Sequence, residues 1–236
     1  MHAAVATLAV SAMLAACGPA PAAGDSLFPL AEGRSWTYRV TTAPDDSAEP
    51  TRREQLTLHN RGSDSIDGAP AWRRRSDSGV DYWLRSDASG IYRVASKADV
   101  DRAPTLDKPR RYVLPTPHAV GTQWEASTVA YLLQRRNEIP REIRYTHKPI
   151  AMKYRIDALG EQVETPAGTF DGCVRVHGQA DIRLYVDAQF AWREIPLVTR
   201  EWYCPGIGLV RLERSEPSPS KFMIGGTLTM ELTAWQ

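Results

Sequence analysis

From Trp36 onward, apolar and polar side chains alternate with period two, the pattern of a strand with one buried and one solvated face. Trp36, Tyr38 and Val40 alternate with Thr37, Arg39 and Thr41. Val80, Tyr82 and Leu84 alternate with Asp81, Trp83 and Arg85, and Ile182, Leu184 and Val186 with Arg183, Tyr185 and Asp187. Near the end, Leu228, Met230 and Leu232 are set between threonines and Glu231. Pro44-Asp45-Asp46, Ser63-Asp64, Ser86 to Gly90, Pro166-Ala167-Gly168 and Pro217-Ser218-Pro219 supply the turns between such runs. The pattern predicts an all-β, mainly antiparallel domain over residues 27–236, built as a single curved sheet or half-barrel. Trp36, Tyr38, Val174, Val176, Ile182, Leu184, Val186, Leu228, Met230 and Leu232 are expected on its buried side, because a one-residue slip would expose every one of them. Glu125 to Ile139 stays open between one short helix and a strand: Val129, Leu132, Leu133 and Arg136 suit the first, and Val129, Tyr131 and Leu133 the second.

The N-terminus is patterned differently. Ala3 to Ala16 is an uncharged apolar run, too short to cross a hydrocarbon core of about 30 Å as a permanent helix. Such a run reads as the apolar region of a signal peptide. It ends in Leu14-Ala15-Ala16-Cys17, which resembles the lipobox of bacterial lipoproteins. That resemblance implies a signal peptide over residues 1–16, a lipid thioether on Cys17, and a lipidated tether over 17–26. The leader departs from the pattern in having no Lys or Arg, so its positive end is only the terminal amine and His2. The alternative to the lipobox is an ordinary cleaved signal peptide with a chance cysteine. Each buried methylene contributes about 0.8 kcal/mol, so two or three acyl chains anchor stably where one does not. Gly18, standing where aspartate would resemble an inner-membrane retention signal, implies a periplasm-facing place on the outer membrane.

Composition narrows the partners. With 29 Lys and Arg against 28 Asp and Glu the net charge is +1, so the chain lacks the basic surplus that nucleic-acid binding requires. At 236 residues and 42% hydrophobic it is long and apolar enough to build one sizeable core.

Three local patterns stand in order along the body: Gly33-x-x-Trp36-x-Tyr38, Thr165-Pro166-Ala167-Gly168-Thr169-Phe170, and Tyr203-x-Pro205-Gly206-x-Gly208-Leu209-Val210. Together they resemble a group of uncharacterised bacterial envelope lipoproteins whose sheets are similar to the curved half-barrels of lipoprotein-carrier proteins. The resemblance implies fold and location and brings no catalytic residue with it. Physically, the second pattern is a Pro-opened turn with a glycine free to take positive φ, and the third signals a bulge or a close backbone approach. A weaker echo joins Pro29-x-x-x-Gly33-x-x-Trp36 to Pro117-x-x-x-Gly121-x-x-Trp124. It fits either a common way of entering a sheet or a duplicated half-sheet.

With Cys17 assigned to the lipid, Cys173 and Cys204 remain as an even pair in an exported chain, and a structural disulfide is expected between them. Closing that loop would contribute roughly 3.5 kcal/mol. Catalytic patterns are sparse. No two of the five histidines have the spacing of a zinc helix, so no metal site and no cofactor are expected. Ser218-x-x-Lys221 lies in a Pro-rich turn, Glu161 and Glu164 fall on opposite strand faces and read as solvated, and His177 shares a strand face with Cys173 and Arg175. The runs Arg73-Arg74-Arg75, Arg110-Arg111 and Arg135-Arg136 read as solvated sheet faces. The sequence therefore points to a lipid-anchored envelope protein with a binding or structural role, its ligand a lipid, a lipoprotein or an envelope protein. The alternative is an envelope hydrolase with an unrecognised active site.

Overall fold

The computed structural model describes residues 26–136, 148–186, 189 and 191–236. Cys17, the leader and nearly all of the tether lie outside the described residues. The described part is all-β. In chain order its strands are β1 (Ser35–Pro44), β2 (Arg52–Ile66), β3 (Ala69–Ser76), β4 (Asp81–Asp87), β5 (Gly90–Lys97), β6 (Thr105–Pro115), β7 (Gln123–Thr128), β8 (Gln134–Arg135), β9 (Ile150–Thr165), β10 (Gly168–Tyr185), β11 (Trp192–Cys204), β12 (Gly208–Glu216), β13 (Met223–Ile224) and β14 (Gly226–Trp235).

Twelve of them form one antiparallel sheet, in the order β6-β5-β4-β3-β2-β1-β14-β12-β11-β10-β9-β7. Each of the twelve pairs with the next of them in chain order, except that β6 and β7 form the two edges, and β1 pairs with β14 to join the two halves. Antiparallel strands need only short links, so the chain meanders around the wall without a crossover. The sheet curls further than a half-barrel. It nearly closes, leaving a seam between its edge strands β6 and β7. The Pro…Gly…Trp echo opens each six-strand run, with Gly33 (φ 82°) before β1 and Gly121 (φ 93°) before β7.

The expected buried face is largely present. Trp36, Tyr38, Val174, Val176, Ile182, Val186 and Leu232 are buried, whereas Leu184, Leu228 and Met230 are only half-buried. β4 keeps its period-two alternation, with Tyr82 and Leu84 both on the interior side, although its register against β5 shifts between Trp83 and Leu84. Both of those adjacent side chains are buried, Leu84 in the main core with Ile91 and Leu114, and Trp83 in a separate cluster with Ala71, Tyr92 and Val94. No helix forms in the described part of Glu125 to Ile139: β7 is followed by an irregular stretch and the two-residue β8, while residues 137–139 lie outside the described residues. Ser63-Asp64 is not a turn. β2 runs on to Ile66, absorbing an irregularity at Gly62 (φ 86°), and the chain reverses at Asp67-Gly68, both in the left-handed region. Asp-Gly between two strands is the stronger hairpin signal, since both central residues of that turn need positive φ.

Neighbouring residues of β10 test this register. Ile182 is buried and Arg183 exposed. Ile182→Asp should lower the free energy of unfolding by several kcal/mol, because it buries an unpaired charge, and Arg183→Asp by less than about 1 kcal/mol. Denaturant melts of the two variants check this, and similar midpoints would mean that the register is wrong.

Candidate functional site

The three sequence patterns come together. The indole N–H of Trp36 donates to the carbonyl of Ile207 (2.7 Å) and the hydroxyl of Tyr38 to that of Leu209 (2.9 Å). Gly208, at φ 98°, brings its backbone so near Pro29 that a Cβ there would stand 3.3 Å from the ring. The β9–β10 tip carrying the Thr-Pro-Ala-Gly-Thr-Phe turn folds back to β14, where the Ala167 N–H donates to the Leu232 carbonyl (3.0 Å). Val163 and Phe170 pack there with Trp36, Tyr38, Val210 and Leu232. In the same cluster Cys173 and Cys204 are joined by a disulfide, S–S 2.00 Å. The patterns thus build a structural knot at one part of the wall.

The candidate site lies beside that knot, in the barrel interior. A cavity of about 690 Å³ is bounded by Leu58, Leu84, Val113, Leu209 and Leu212 on its apolar sides. Its polar lining includes Arg74, Arg93, Asp107, Arg111, Glu201 and Tyr203. A second recess at the seam, between residues 106–111 and 125–127, shares Asp107, Arg111, Ser127 and Pro149 with it. The Nε–H of Arg111 donates across that seam to the Ser127 carbonyl (3.1 Å).

The triple-arginine run is divided by strand geometry. Arg73 and Arg75 both pair with Asp81 (2.8 and 2.7 Å), while Arg74, between them, turns inward and is buried. Reading the run as a solvated face is therefore wrong for its middle member. Arg74 donates from Nε to Asn60 Oδ1 (2.8 Å) and from Nη2 to the Pro29 carbonyl (2.8 Å). Its guanidinium is stacked by Phe28 and Trp36, 4.2 and 4.4 Å from the ring centroids. Desolvation lowers its pKa to about 10, so it remains a cation at neutral pH. Arg93 is satisfied differently, by a two-point ion pair with Asp107 at 2.7 Å on both nitrogens.

Glu201 projects from β11 into the same space and accepts a 2.5 Å hydrogen bond from the Tyr203 hydroxyl. Enclosure by the barrel raises its carboxyl above the usual range, and Tyr203, Arg111 and Arg214 only partly oppose that effect. Beyond it, Glu216 is fully buried beside Arg214 (2.6 Å). One oxygen of Glu216 accepts the backbone N–H groups of Tyr131, Leu132 and Leu133 at 3.0, 2.8 and 3.1 Å. Arg214 donates to the Val129 carbonyl (3.0 Å) and lies 4.4 Å from the Tyr131 ring centroid. This pair holds residues 129–133 inside the barrel, where Ala130 and Leu133 join the core. An ion pair so enclosed is costly to break from one side.

Other sequence candidates are placed elsewhere. The Ser218 hydroxyl hydrogen-bonds the carbonyls of Ser220 and Met223. Glu161 is half-exposed but not free: it pairs with Arg175 (2.6 Å) and accepts from the Trp202 indole (2.8 Å). Arg175 and His177 alternate with buried Val174 and Val176 in an unbroken register against β11, and both are half-exposed while Cys173 is buried. Among the described residues no group of three or more His, Cys, Asp and Glu side chains is placed to hold a metal ion.

A family described as DUF3108-like matches residues 143–221, about a third of the chain. That segment carries the disulfide, Glu201, Tyr203 and the Arg214–Glu216 pair. Similar solved structures include a protein assigned as a lipoprotein from Parabacteroides distasonis, 14% identical, with a TM-score of 0.41. A protein assigned as exported, with a YmcC-like fold, from Bacteroides fragilis is 16% identical, with a TM-score of 0.39. Each comparison covers 90% of this chain and 99% of the other. No curated protein matches the chain.

Glu201 predicts a pH dependence. A carboxyl whose pKa is raised on folding keeps its proton in the native state while the unfolded chain releases it. Stability from this group is thus greatest below the unfolded value of about 4.3 and falls as pH rises toward the native one. Glu201→Gln should remove that fall, raising the melting temperature at pH 7 relative to wild type and leaving it little changed at pH 4. An equal shift at both pH values would contradict the assignment.

Proposed function

We propose that this protein is a lipid-anchored envelope protein that binds an amphipathic ligand inside its barrel. The cavity carries the reading. Its volume lies within the range of about 300 to 1,000 Å³ that holds one small ligand, and its walls combine apolar side chains with a few fixed polar groups. The seam between β6 and β7 gives the ligand a way in, because among the described residues only side chains and one side-chain-to-backbone hydrogen bond span the part lined by Arg111 and Ser127. On this reading Cys17 is the lipidated residue, residues 17–26 tether the barrel to the outer membrane, and the ligand is exchanged on the periplasmic side.

The hydrolase alternative is favoured by one feature, the raised carboxyl of Glu201 beside Tyr203. Binding is the better account, since an enclosed cation and continuous apolar walls serve a held amphiphile and a hydrolytic site needs neither. Native mass spectrometry of the protein isolated from membranes should show a bound small amphiphile, released on unfolding. The same preparation tests the anchor: Cys17→Ser should move the protein out of the membrane fraction or leave it uncleaved. A wild-type protein that is soluble with a mature N-terminus other than Cys17 would overturn the anchor, and one with an empty barrel would overturn the binding role.

A further inference from the structure

Arg74 is the buried cation of the cavity that no carboxylate meets; Arg111, which also lines the cavity and has no ion pair among the described residues, is half-exposed at the seam. It is only 7% exposed, yet no carboxylate of the described residues lies within ion-pair distance; its closest titratable neighbours are the phenols of Tyr38 and Tyr203. Two of its nitrogens are committed to Asn60 and Pro29, while Nη1 has no hydrogen-bond partner in the described chain and still reaches the cavity. Holding a cation in this way is unfavourable unless an anion joins it. The stacking of Phe28 and Trp36 and the bonds from Asn60 and Pro29 fix the guanidinium plane, so its free edge is pre-aimed.

Cavity size limits what such an anion can be attached to. At about 30 Å³ per water-sized group, the space holds on the order of 20 non-hydrogen atoms, enough for one acyl chain and its head and too few for a two-chain lipid. We infer that the ligand is a single-chain amphiphile with an anionic head, a carboxylate or a phosphate monoester, that the head is held by Arg74, and that the chain lies along Leu84, Val113, Leu209 and Leu212. This inference rests on the cavity-binding reading above and adds to it the class of ligand and the residue that selects it. The free Nη1 carries two N–H donors, and it suits either head because both present oxygens that can accept a charge-assisted N–H bond. Within the barrel the pair is screened less than in water, so the uncharged form of the same chain should bind much more weakly.

The test is calorimetric titration of the protein with dodecanoate, dodecyl phosphate and methyl dodecanoate, each below its micelle concentration. One or both anions should bind at least about tenfold more tightly than the ester, and the stronger of the two identifies the head. Arg74→Gln should bring the anions down to the affinity of the ester. Leu212→Trp, which fills the cavity and leaves Arg74 in place, should abolish binding of all three and keeps the test valid should Arg74→Gln fail to fold. Equal binding of acid and ester to the wild-type protein would overturn the role of Arg74 and leave the cavity reading standing. Failure of every ligand to bind, or unchanged anion binding in Leu212→Trp, would overturn the cavity reading together with this inference.

Discussion

A twelve-stranded wall that nearly closes encloses more space than its own inward side chains can fill. Eight strands give an interior just wide enough to be packed by side chains, and diameter grows with strand number. Everything inside this barrel follows from that excess. Part of the space is taken by the chain: the segment before β1 places Leu27 and Phe28 in the main core, and residues 129–133 add Ala130 and Leu133 from the other side. What these insertions leave is the cavity of about 690 Å³.

Inserted irregular segments bring backbone polar groups into the interior, where each needs a partner. Arg74 answers one end, binding the Pro29 carbonyl directly while Asn60 binds both Pro29 and Ala31. Glu216 and Arg214 answer the other, the carboxylate taking three successive N–H groups and the guanidinium a carbonyl. The two devices differ in charge balance. Arg214 has its counter-ion at 2.6 Å, and Arg74 has none among the described residues. A residue needed only to satisfy a carbonyl could have been neutral, and this imbalance is what separates a structural insert from a ligand site.

Period-two alternation in β1 and β10 carried the sheet and most of its buried face, because a strand with one covered side must alternate. It carried less where the pleat is interrupted. The irregularity after Asn60 shifts the register by local backbone geometry that composition does not encode strongly, and the turn expected at Ser63-Asp64 falls at Asp67-Gly68 instead. The Asp67-Gly68 reversal, by contrast, is legible, because Asp-Gly is the residue pair that tolerates positive φ at both central positions. The candidate site was harder to see. Arg74 sits in a run of three arginines whose average character is solvated, and only the rule that strand neighbours point oppositely marks the middle one as inward. Glu201 and Glu216 carry no sequence mark, since what makes them unusual is enclosure by strands distant in the chain. The three motifs proved to be contacts with one another: Trp36 and Tyr38 of the first find their hydrogen-bond acceptors at Ile207 and Leu209 of the third.

The unfilled interior is either a site for a charged, single-chain ligand or a void left by the curl of the sheet. The most direct measurement is the crystal structure of the protein with a terminally brominated dodecanoate, located by the anomalous signal of bromine. The account predicts one bromine inside the barrel, at the apolar end of the cavity, with the carboxylate on Arg74. Bromine found only on the outer surface of the sheet, in a protein whose cavity keeps its shape, would contradict it.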